Sequence, residues 1–213
     1  DVVARAAELD MGVFIISPNN QGGRLQAPTA KLAAACAPLS PMNFNHMWLL
    51  NQPDVHTLSF GPATPDEIAA NLVAQDYDGT GEQRELFDRV LGQVEHSYRT
   101  QLGDDFCTVC NQCLPCPENI NIPGVLNWRQ MHKAFDMTAY AQGRYEKVGS
   151  GGAWILGVKG DQCTKCGDCE PRCPEHLDIP RLLWHAHQEL ETGLVSGPAW
   201  DHEGDLLKQD LKS

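Results

Sequence analysis

Eight cysteines lie between residues 107 and 173, in two runs whose spacing suits chemistry. The first is Cys107-x2-Cys110-x2-Cys113-x2-Cys116-Pro117, and the second is Cys163-x2-Cys166-x2-Cys169-x3-Cys173-Pro174. The second spacing is one by which thiolates hold iron–sulfur clusters. The first is one residue short before its fourth cysteine. Three cysteines two residues apart can wrap three corners of a cubane, so the fourth ligand has to arrive from elsewhere. In two-cluster proteins the fourth cysteine of each motif ligates the other cluster. One 4Fe–4S cluster would then take Cys107, Cys110, Cys113 and Cys173. The other would take Cys163, Cys166, Cys169 and Cys116. Under this scheme the short spacing is tolerated, because Cys116 need not reach the cluster of its own motif.

Zinc prefers two C-x2-C pairs around one tetrahedral ion. Four successive cysteines, twice over, each run ending in Cys-Pro, do not fit that pattern. Disulfides are disfavoured because the N-terminal sequence DVVARAAELDMG lacks the features of a secretory signal. Reduced thiols and cluster assembly point to the cytoplasm. The ninth cysteine, Cys36, sits in an alanine run and is expected to be a small buried hydrophobe. His185 and His187 face different sides of a helix and are expected on the surface, not as ligands. His176, three residues past Cys173, could hydrogen-bond near a cluster.

The elements that must position these thiols form an internal repeat. Residues 116–126 (CPENINIPGVL) match residues 173–183 (CPEHLDIPRLL) at an offset of 57, and the three preceding cysteines match at 56. In each copy an Ile-Pro opens a helix, where proline's missing N–H costs nothing. These helices are predicted at about 123–143 and 180–192. The 46 residues between Cys116 and Cys163 are too many for a compact βαβ ferredoxin. They suit an α-helical domain with a helix after each Cys-Pro.

Upstream the sequence changes character. Residues 2–9 read as a helix and Val13–Ser17 as a short, fully buried strand. Residues 18–23 form a loop, 28–37 and 42–51 are helical, and 55–60 form a second strand. A helix over 66–74 follows, with Thr64 as N-cap. This strand–helix order is that of an α/β parallel sheet. Residues 76–105 form a connector. In it Leu86, Phe87, Val90, Leu91, Val94, Tyr98 and Leu102 share one helical face, the pattern of core packing.

Composition sets the outer limits. The 213 residues carry 16 Lys+Arg against 28 Asp+Glu, a net charge of −12. An acidic chain repels phosphate backbones, which argues against nucleic acid and anionic membrane as partners. No stretch reaches the ~18 apolar residues of a membrane span. The chain opens on Asp1, not Met, inside a helix-like stretch, the pattern expected of a part of a longer protein.

Residues 12–25 (GVFIISPNNQGGRL), Trp48-Leu49-Leu50 and 61–71 (GPATPDEIAAN) resemble the last two βα units of an aldo/keto reductase. The cysteine runs resemble the ferredoxin-type extension that one branch of that family carries. The resemblance implies α/β plus all-α architecture. Residues 1–75 would be the end of a (β/α)8 TIM barrel, and residues 106–213 an α-helical two-cluster domain. It implies an iron–sulfur oxidoreductase exchanging electrons with a nicotinamide cofactor, NAD or NADP, and a small-molecule carbonyl substrate. Ser17 and the loop carrying Gly22, Gly23 and Arg24 would touch cofactor phosphate, and Asn71 would contact adenine. Ala70 and Ile16 depart from the family, which usually has an acid and an aromatic at these positions. The family's catalytic residues lie on earlier strands, so this chain supplies none and would be inactive alone. The alternative is a non-catalytic electron carrier or docking module, whose acidic surface would steer a redox partner protein. A purely structural metal domain is the third reading.

Overall fold

In a computed structural model, the chain is described at residues 2–18, 25–75, 77–149 and 155–192. It divides into two compact units, Asp1–Ser97 and Tyr98–Ser213.

The first unit begins with α1 (Val2–Glu8) and the strand β1 (Phe14–Ile16). Helices α2 (Ala30–Cys36) and α3 (Pro41–Leu50) follow, then β2 (Thr57–Ser59) and α4 (Pro65–Asn71). Three helix starts are capped by hydroxyls, which accept otherwise orphaned amide protons. Thr29 accepts from Leu32 N (3.2 Å), Ser40 from Asn43 N (3.1 Å) and Thr64 from Glu67 N (3.3 Å). The strands pair in parallel, with Phe14 opposite Thr57 and Ile16 opposite Ser59. Two parallel strands joined through helices form a crossover unit.

The expected burial of the first strand is not met: Phe14 is 54% and Ile16 70% exposed. The reason is that β1 pairs only with β2, so no second layer of described residues covers it. The core lies on the helices instead. Cys36, Met47 and His46 are almost fully buried. Helix α5 (Gly81–Leu102) contributes Phe87 and Val90, with Phe87 stacked on Phe44 at 5.6 Å. The apolar stripe of the connector is thus core packing, as its spacing predicts.

The second unit holds α6 (Ile122–Phe135), α7 (Thr138–Glu146) and α8 (Ile179–Leu190). The sequence predicts one helix over 123–143, and the structure breaks it in two. Asp136 adopts the left-handed conformation (φ 54°, ψ 26°) and ends α6, a termination open to short polar residues. The turn lets α7 bury Ala141 and Tyr145 completely. Repeat-related residues cap α6 and α8: Asn121 Oδ1 accepts from Gly124 N (3.2 Å) and Asp178 Oδ1 from Arg181 N (3.1 Å). Ile179, Leu182, Leu183, Ala186 and Leu190 form the buried face of α8, spaced as an amphipathic helix requires. Among the described residues no helix is long and apolar enough to cross a membrane.

A candidate iron–sulfur centre

The two cysteine runs fold as related loops. Each carries left-handed residues at matching positions: Val109 and Lys165 (φ 55° and 57°), Asn111 and Gly167 (65° and 82°), Asn119 and His176 (56° and 53°). A β-branched residue such as Val109 rarely takes this conformation, and such strain gathers at functional sites. Alternation of right- and left-handed residues turns successive amides toward one concavity, a setting that favours anions such as thiolates. The Val109 amide donates to Cys107 Sγ (3.4 Å).

These loops line two small cavities. Cys116, Cys163, Cys166 and Cys169 line the first, with Ile120, Ile122, Pro180 and Leu183. Cys107, Cys110, Cys113 and Cys173 line the second, with Pro123, Leu126, Leu177 and Ile179. Each cavity therefore takes three cysteines from one run and the fourth from the other. No three Cys, His, Asp or Glu side chains among the described residues gather as one metal ion would gather them. Four thiols in each lining are a donor set that fits a four-iron cluster.

Burial pushes the thiols of Cys113 and Cys169 up to about 11, with neighbouring cysteine sulfurs adding to the effect. Cys107 is raised too, by burial first and against the Val109 amide. Such thiols ionise only with compensating positive charge, so metal binding here releases protons. Cys110 and Cys166 are exposed, one at the mouth of each cavity.

The start of each loop is braced by a side chain from a helix, Gln130 of α6 for the first and Tyr145 of α7 for the second. The buried Gln130 of α6 donates Nε2 to Cys107 O (3.1 Å) and accepts from Cys107 N. Its repeat partner at an offset of 57 is His187. His187, expected on the surface, is half-buried: its side chain is 19% exposed and hydrogen-bonds the Tyr145 hydroxyl (2.9 Å). That hydroxyl accepts from Gly160 N (2.9 Å), three residues before Cys163. Gly160 sits so close to α8 that a Cβ would lie 2.7 Å from Leu183 O. Lys159 adds ion pairs to Glu146 (3.2 Å) and Glu191 (2.6 Å). Arg129, 7% exposed, lies between Glu189 (Nε–Oε2 3.0 Å) and Asp105 (3.5 Å), two residues before Cys107. The 3.0 Å contact is an ion pair lacking hydrogen-bond angles. None of these braces was singled out from sequence, although the 57-residue offset pairs Gln130 with His187. His185 is exposed, as expected, and so is His176.

Of the residues tied to a nicotinamide by resemblance, Ser17 is exposed at the end of β1 with φ 53°. Asn71 is 4% exposed, donates Nδ2 to Glu67 O (2.6 Å) and leaves Oδ1 without a hydrogen-bond partner. Asn45 and Asn43 of α3 donate to Pro18 O (2.7 Å) and Ala70 O (2.9 Å), tying both segments to one helix. Gly22, Gly23 and Arg24 lie outside the described residues. Cys36 is buried and its thiol is pushed up to about 11 by burial, as an inert core cysteine.

The comparisons with known proteins bear on the second unit. A family model described as a 4Fe-4S dicluster domain matches residues 106–177. No curated protein and no solved structure matches the chain. Residues 106–177, with their eight cysteines in two sets of four, thus carry an iron–sulfur, ferredoxin-type domain with an electron-transfer role.

Proposed function

We propose that the chain is the C-terminal part of an iron–sulfur oxidoreductase of aldo/keto reductase type, in which two 4Fe–4S clusters serve a nicotinamide and carbonyl site. The observation that carries the cluster reading is the partition of the eight cysteines between two cavities. Cys107, Cys110, Cys113 and Cys173 would hold one cluster; Cys116, Cys163, Cys166 and Cys169 the other. When bound, each cluster takes up and releases single electrons. The protein's own part is to keep the sulfurs in two braced sets. Exposed Cys110 and Cys166 offer a redox partner protein a short approach, and the acidic charge suits a basic partner.

The reductase part of the proposal rests on the residue resemblance and on three supporting features. The strands are parallel and joined by helices. Ser17 stands at the C-terminal end of β1, the side where barrel active sites form. The exposed Phe14 and Ile16 suit strands that neighbouring barrel units would cover. A cytoplasmic setting goes with this reading.

Anaerobically purified protein is expected to be brown, with about eight iron and eight sulfide per chain from two four-iron clusters. Cys116→Ser is expected to damage the cluster of Cys163, Cys166 and Cys169, and Cys173→Ser that of Cys107, Cys110 and Cys113. Zinc at one or two per chain without colour would end the cluster reading. A complete protein with no nicotinamide affinity would move the function to the electron carrier.

A further inference from the structure

The linings of the two cavities are nearly interchangeable under the repeat. Thr108 answers Thr164, and Glu175 answers Glu118. Arg172 has no counterpart. It lies in the one-residue insertion that distinguishes the second cysteine run, and it lines the cavity of Cys116, Cys163, Cys166 and Cys169. Its Nε donates to Asp168 O (2.7 Å) and its Nη2 to Pro115 O (3.0 Å). Both acceptors are neutral carbonyls, and no carboxylate among the described residues pairs with it. A fixed, unneutralised cation therefore borders one cluster site and not the other.

Given the cluster reading above, we infer that Arg172 makes the two clusters unequal, so that the one beside it is reduced first. Reduction adds one negative charge to a cluster, and net charge around the sulfurs sets its potential. A nearby guanidinium stabilises the reduced form by direct Coulomb attraction. Two other features bear on the balance. The Val109 amide on Cys107 Sγ (3.4 Å) acts in the same sense at the other site, but a dipole's field decays faster with distance than a full charge. Lys165, Asp168 and Glu170 share the Arg172 loop and are exposed, outside the lining; of these Glu170 acts on Cys169 and opposes Arg172, while Glu118 and Glu175 line the two cavities alike and do not distinguish them. An electron delivered to the pair would therefore rest beside Arg172, giving the module a direction.

The test is an anaerobic redox titration with dithionite as electron donor, followed by electron paramagnetic resonance, with iron and sulfide counted in every sample. The wild type is expected to show two separate midpoints. Arg172→Gln should lower the upper midpoint, leave the lower one unmoved and retain about eight iron; Arg172→Lys should keep the upper midpoint near its original value. A full iron count with neither midpoint moved, or with both moved equally, overturns the role of Arg172. So does loss of half the iron in Arg172→Gln, which would make Arg172 a brace for the Pro115–Cys116 segment. A wild type without iron refutes instead the cluster reading on which the inference stands.

Discussion

The Tyr145 hydroxyl offers a perturbation whose size follows from its surroundings. Tyr145→Phe keeps the ring and removes one oxygen from a side chain that is 0% exposed, so no cavity larger than an oxygen atom opens. Two hydrogen bonds vanish, to Gly160 N and to His187 Nδ1, each 2.9 Å. Their consequences differ. Gly160 is buried, so its N–H is left without a partner, at about 1–3 kcal/mol. His187 is partly exposed and can turn to water, leaving only the net value of a bond, about 0.5–1.5 kcal/mol. Tyr145→Phe should therefore destabilise the second unit by roughly 2–4 kcal/mol. His187→Phe spares the Gly160 bond but leaves the buried Tyr145 O–H without its acceptor, and should cost about 1–3 kcal/mol. Anaerobic guanidinium unfolding of the full chain, followed together by far-UV circular dichroism and visible absorbance, measures both. If Tyr145→Phe unfolds within about 0.5 kcal/mol of wild type, the hydroxyl does not hold the start of the Cys163 loop and the reasoning fails.

Gly160→Ala should destabilise by about 1–3 kcal/mol and lower iron retention, because its Cβ meets backbone at Leu183 O (2.7 Å); unchanged iron content and unfolding midpoint would contradict that contact. Burial of His46 lowers its pKa below the usual 6.5. The unfolded state therefore binds the proton first, and the contribution of this group, complete above about 6.5, is lost as pH falls through the folded value. Proton NMR should place the His46 titration below that of a free imidazole, and His46→Phe should flatten the loss of stability between about pH 7 and 5. Cys36→Ser should leave the iron count and visible spectrum unchanged and cost about 1–3 kcal/mol for a hydroxyl buried in an apolar site. A changed spectrum would bring Cys36 into the metal chemistry.

What the sequence discloses and what it withholds have different physical roots. Thiolate ligation imposes spacing, so the eight cysteines and their repeat stand out one residue at a time. Capping imposes residue type, so Thr64 was identifiable as a helix start, and the stripe from Leu86 to Leu102 declared a packed face. Asp136 was not legible as a helix end, because a single left-handed residue leaves the periodicity on either side undisturbed. The exposure of β1 was hidden for another reason. Phe-Ile-Ile reports what a strand prefers to contact, not whether a second layer is present to supply it. The braces at Gln130, Tyr145 and Arg129 were invisible because polar residues bonded across 15 to 60 positions leave no local pattern.

Each cavity draws on both copies of the repeat, and this orders events during synthesis. The set containing Cys116 is complete only when Cys169 has been made, and the set containing Cys107 only at Cys173. Cys173 is made 66 positions after Cys107, so at about 5–20 residues per second the first thiol waits roughly 3–13 s for its last companion. Neither copy can finish a site and release the other to vary. Loss or truncation of the second copy would strip both sites at once, so the duplicated halves are bound to be inherited, assembled and degraded as one piece.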